Sequence, residues 1–171
     1  KVFGELLMLI EGDKRGSKYS LALAYSTSEE DQFYVPSNVH ILGLMNTADR
    51  SLALVDYALR RRFAFVELGP LFGSPVFTNF LVSGGAARGL VSAICSRLQV
   101  LNQLIAGDQS LGSGFMVGHS YFCGMASGLT ENAFLNVVRH EILPLLKEYW
   151  FDDPARVTGC AEKLVAPFDD N

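Results

Sequence analysis

Apolar positions along this chain follow two different periods, and the change from one to the other divides it. In KVFGELLMLIE (1–11), Phe3, Leu6, Leu7 and Ile10 recur at i, i+3, i+4 and i+7, the stripe of a helix packed on a core. No Ser, Thr, Asp or Asn stands before them as an N-cap, so the natural protein is expected to continue upstream. After a polar turn at 12–18, LALAY (21–25) and FYV (33–35), closed by Pro36, predict short strands or a hairpin. NVHILGLMN (38–46) is apolar almost throughout, the pattern of a strand buried on both faces of a parallel sheet. LALVDYALRRR (52–62) sets Leu52, Val55 and Leu59 on one helical face behind Ser51 as a cap, and 63–67 alternates like another strand. Strand, polar loop, helix and strand in that order predict a right-handed α/β crossover. In such sheets ligands gather beyond the carboxyl ends of the strands, which is where Asn46 falls.

From Gly69-Pro70 onward the strand signals stop. PVFTNFLVS (75–83) predicts a short helix and SGGAARG (83–89) a flexible break. Residues 90–105 predict a helix whose buried face carries Val91, Ile94, Leu98, Leu101 and Ile105. The loop GDQSLGSG (107–114) and the segment FMVGHSYF (115–122) follow. Thr130 caps a long helix to Trp150, bent or interrupted at Pro144, and Asp153-Pro154 supplies an N-cap and N1 proline for a last helix to about Val165. The expected organisation is an α/β part over 1–69 and an α-helical bundle over 70–171.

Composition narrows the classes. With 171 residues, 49% hydrophobic and 19% charged, the chain forms one full domain or two small ones, and disorder is excluded. The net charge of −4 gives the surface as a whole no bias toward nucleic-acid phosphate or anionic lipid. Cys95, Cys123 and Cys160 are too widely spaced for a CxxC zinc pattern, and an odd number of scattered thiols reads as a cytoplasmic protein. No apolar run reaches the roughly 18 residues that span a bilayer, so no membrane association is expected.

Most chemical motifs fail. His140-Glu141-Ile142-Leu143-Pro144 opens like HExxH but has Pro144 in place of the second ligand, and no metal site is expected. GDKRGSK (12–18) lacks the GxxxxGK[ST] spacing and follows a helix, so it reads as an exposed turn. Two clusters remain. At 46–50 an amide, a carboxylate and a guanidinium crowd one loop, although Asp49 and Ser51 as helix caps beside a solvated Arg50 would account for them equally well. Arg60, Arg61 and Arg62 end a helix, where each cation gains roughly 0.3–1 kcal/mol from the helix dipole.

Taken together, MNTADRSLALVDYALRRRF (45–63) closely resembles the signature region of the McrB-like AAA+ GTPases, the motors of modification-dependent 5-methylcytosine restriction systems. It is more loosely similar to MoxR-like and dynein-related AAA+ ATPases. KVFGELLMLIE resembles the helix after the acidic Walker B segment of that family, and FMVGHSYF its lid motif. The resemblance implies the C-terminal half of an AAA+ P-loop α/β core followed by an α-helical lid. It implies that Asn46 is the sensor-1 amide that orients the attacking water, and that Asp49 and Arg50 arrange a subunit interface. Arg61 then matches the arginine finger that reaches a neighbour's nucleotide, with Arg62 as its partner. Phosphoryl transfer is mostly positioning and charge stabilisation, for which a planar guanidinium suits. The implied partners are further copies in a homo-oligomeric ring, a hexamer, a nuclease subunit of the McrC type, and DNA bound through domains not present here.

The departures matter as much. The sequence carries neither a Walker A lysine nor a Walker B acid, so Mg²⁺ with GTP or ATP is expected only in the full-length protein, and this piece is expected to be inactive alone. In place of a sensor-2 arginine the lid presents His119-Ser120, with His119 either facing the nucleotide or structural. The alternatives are a remodelling ATPase without a restriction role and a non-enzymatic helical interaction module.

Overall fold

The computed structural model describes residues 6–22, 32–46, 48, 57–125 and 127–168. It divides into two compact units, Lys1–Glu67 and Leu68–Asn171.

In the first unit, α1 (Leu6–Leu9) buries Leu9. Two 3₁₀ turns, Gly12–Lys14 and Ser17–Tyr19, follow, separated by Gly16 at φ +96°, a conformation that favours glycine. Arg15 braces the turn: its Nη2 and Nε donate to the Ile10 carbonyl at 2.8 and 3.3 Å, and its Nη1 to the Val39 carbonyl at 3.1 Å. The predicted hairpin forms as β1 (Leu21–Ala22) antiparallel to β2 (Gln32–Phe33), with Leu21 opposite Phe33. The Ser20 hydroxyl donates to Gln32 Oε1 at 2.6 Å beside it. α2 (Tyr57–Arg60) is the end of the helix expected over 52–62. Phe3, Ser51, Leu52 and Val55 lie outside the described residues.

Two expectations are corrected. Residues 38–46 form no strand and are exposed, with Leu42 and Leu44 at 88% and 89%. Residues 63–67 likewise run without sheet pairing, and Val66 is 82% exposed. A central parallel strand satisfies its N–H and C=O groups from neighbours on both edges. Among the described residues no third strand exists to supply them, so the crossover does not close here.

The second unit is helical. α3 (Pro75–Ser83) starts at Ser74, whose hydroxyl accepts the Val76 N–H at 3.2 Å, with proline at the first helical position. α4 (Arg88–Ala106) buries Val91, Ile94, Leu98, Leu101 and Ile105 as predicted, together with Cys95 and Asn102. Its length and composition alone would let it cross a membrane. Those buried residues instead make it the central helix of the core. After the 3₁₀ turn Ser113–Phe115 come α5 (Ser120–Cys123) and α6 (Glu131–Val137), the latter capped by Thr130 accepting the Ala133 N–H at 3.2 Å. The expected interruption at Pro144 is a π-helical turn, Val138–Ile142, in which the Leu143 N–H reaches back to the Val138 carbonyl. Pro144 has no N–H for the His140 carbonyl, and the wider turn absorbs that loss before α7 (Leu143–Tyr149). α8 (Pro154–Val165) follows Asp153, which accepts the Arg156 N–H at 3.0 Å. Edge-on contacts of Phe72 with Phe77 (5.7 Å) and Phe122 (6.1 Å), and the stacking of Phe122 on Phe134 (6.0 Å), run through the core.

Candidate functional site

The two arginines after α2 occupy different environments. Arg62 folds back, its backbone N–H on the Leu59 carbonyl at 3.0 Å, and its Nη2 pairs with Glu11 Oε1. The pair is largely shielded, Arg62 being 14% exposed and Glu11 33%. Arg61 beside it is exposed. Glu11, Gly12, Asp13, Arg61 and Arg62 line an open cavity of about 320 Å³. Glu11, just after α1, and Arg62, just after α2, far apart in sequence, therefore meet in an ion pair that holds one guanidinium and leaves its neighbour in solvent.

Asn46 is exposed, and its Oδ1 accepts the Ala48 N–H at 3.1 Å, an Asx turn that shapes the loop. It is not among the residues lining the arginine cavity. Asp49 and Arg50 lie outside the described residues.

In the second unit, the half-buried His119 accepts the Leu71 N–H at Nδ1, 3.2 Å away, which places its ring proton on Nε2. Its ring stands edge-on to Phe77 at 5.3 Å. Ser120, the first residue of α5, is exposed. Asn102 escapes notice by composition but is the one polar residue on the buried stripe of α4, four positions after Leu98. Its amide embraces Val117, donating from Nδ2 to the carbonyl at 2.9 Å and accepting the N–H at Oδ1 at 2.7 Å. That pairing anchors the segment that carries His119.

Asp108 builds a second polar joint. Its carboxylate accepts from Ser110 Oγ (2.6 Å), the Ser110 N–H (2.7 Å), Trp150 Nε1 (3.0 Å) and Arg156 Nη1 (2.8 Å), while Arg156 stacks over Trp150 at 4.4 Å. The Ser110 and Trp150 hydrogen bonds and the Arg156 charge hold this carboxyl well below the usual range. Burial pushes the Cys95 and Cys160 thiols up, which leaves them poor nucleophiles. Among the described residues no three His, Cys, Asp or Glu side chains are grouped to hold a metal ion.

A family model of the McrB α-helical lid domain matches residues 93–158, which lie wholly in the second unit. Over 169 residues the chain is 51% identical to the type IV methyl-directed restriction enzyme EcoKMcrB subunit of Escherichia coli strain K12, covering 96% of this chain. The chain is McrB-like. It spans 37% of the length of that relative. The helical second unit of the McrB-like chain contains the segment that matches the McrB lid, and Asn102, Asp108 and His119 all fall inside the matched region.

Proposed function

We propose that this chain is the part of an AAA+ core that follows the phosphate-binding motifs, joined to its lid, in the nucleoside-triphosphatase motor of an McrBC-type restriction endonuclease. The identity of 51% over nearly the whole chain to a restriction-enzyme subunit carries this reading. The exposed apolar stretches 38–46 and 63–67 support it, since they have the composition of central strands and would pair with core strands outside this chain.

In this reading Arg61 is the finger. Its exposure leaves it able to enter a neighbouring subunit's site, while the Glu11 pair fixes Arg62 and with it the direction in which the helix end points. Asn46 sits at sensor 1: its Oδ1 holds the loop and its Nδ2 would donate to the attacking water. Asp49 and Arg50 arrange the subunit interface of a hexameric ring. In this reading Mg²⁺ and the phosphates of GTP are held by residues outside this chain. A nuclease subunit of the McrC type and DNA, bound through other domains, complete the assembly.

Hydrolysis of GTP and ATP by the full-length protein, with and without a nuclease subunit of the McrC type, tests the proposal. GTP turnover stimulated by that subunit is expected. ATP turnover indifferent to it would assign the protein to the remodelling ATPases.

A further inference from the structure

The first residues of the second unit are fastened to the lid by three unrelated interactions in succession. The Leu71 N–H is bound by His119 Nδ1 across 48 positions of sequence. The Phe72 ring is 3% exposed, between Phe77 and Phe122. Gly73 lies so close to Gln99 of α4 that a Cβ would stand 2.6 Å from its Nε2, so the backbone there rests against the Gln99 side chain. Before these three, residues 63–69 run exposed or half-exposed with no regular secondary structure.

Two of the three fasteners are packing, of Phe72 on Phe77 and Phe122 and of Gly73 on Gln99. The first is different, because it is a single directional hydrogen bond whose acceptor lies in the segment 115–122. Asn102 fixes Val117 two residues before His119, and Phe77 braces the imidazole, so the ring is held from both sides and its Nδ1 meets one particular backbone amide. A phenyl ring at this place would keep the contact with Phe77 and lose the acceptor.

We infer that His119 is a positioning residue that latches the connecting segment to the helical unit at Leu71, so that this unit moves as a rigid body from Leu71 onward and bending is confined to residues before it. This rests on the reading of the second unit as a nucleotide-dependent lid. A displacement of the segment 115–122 is thereby carried to Leu71 by the His119 hydrogen bond together with the Phe72–Phe122 contact.

The test compares His119→Phe and His119→Asn in the full-length protein, Asn offering an Oδ1 acceptor near the position of Nδ1. Hydrogen–deuterium exchange is read at the Leu71 amide and along α4, with GTP turnover measured in parallel. For His119→Phe, Leu71 exchange is expected to rise roughly fivefold, the worth of one neutral hydrogen bond, with α4 protection and melting temperature unchanged and turnover lowered severalfold. His119→Asn is expected to restore both. Unchanged Leu71 exchange in His119→Phe overturns the latch, as does a rise shared equally by α4, which would mark a general loss of packing. A wild-type protein that hydrolyses neither nucleotide while Leu71 still answers to His119 overturns the motor reading and leaves the latch standing.

Discussion

Arg61 and Arg62 differ in what surrounds them and so should differ in what they do when removed. Arg62 is tied to Glu11 inside one chain, and truncating it leaves a half-buried carboxylate without that cation, a loss of about 1 kcal/mol in stability. Arg61 is exposed, and its loss should leave folding untouched. In the full-length protein Arg61→Ala is expected to lower kcat for GTP by roughly 10³–10⁵ with little change in nucleotide affinity. If Arg61 acts on a neighbour's nucleotide, as proposed, mixing the Arg61→Ala protein with a subunit mutated in its own Walker B acid should recover part of the activity. A mixture that assembles but stays inactive would refute the trans role. The sequence marked both arginines as a pair; that Glu11 takes Arg62 and leaves Arg61 was not visible in it, because residues 11 and 62 meet only in three dimensions.

At the scale of elements, the helical unit was largely legible because its signals are local. Thr130 and Asp153-Pro154 cap the helices that follow them, and the stripe on α4 is buried where its period placed it. What no period could reveal is how the elements are tied. Asp108 just past α4, Trp150 at the end of α7 and Arg156 in α8 join three segments through one carboxylate, 8% exposed. That joint has a pH signature. Its folded-state pKa is depressed by the Ser110 hydroxyl foremost, then Trp150, so its contribution is complete above the unfolded value of about 3.9 and is lost as pH falls from there toward the lower folded value. Asp108→Asn should therefore melt below wild type at pH 7, and the gap should narrow progressively below about pH 4. Thermal melts at pH 7, 5 and 3 measure this, and a gap that is constant across the three would show that the charge is not what stabilises the joint.

For the whole molecule, the distribution of buried side chains sets what can stand alone. The core cluster, from Phe72 to Leu164, belongs entirely to the second unit, whereas Leu9 and Val35 are the buried hydrophobic residues described in the first. The same asymmetry explains why the first unit was read less well: an apolar run such as 38–46 becomes a strand only when partners flank it, and that information is not in the run itself. Helices carry their own hydrogen bonds and need only one packed face, which residues 68–171 provide for one another. The second unit, excised as 68–171, is thus expected to fold cooperatively. The complementary piece, 1–67, would expose Leu42, Leu44 and Val66 to water and should associate or stay unfolded. Urea titrations followed by circular dichroism and sedimentation on both pieces decide it: coincident single transitions for a monomeric 68–171, and none for 1–67, are the expected result. A gradual, non-cooperative loss of helix in 68–171 would mean that its core requires the first unit, and would place the boundary at residue 68 inside one folding unit.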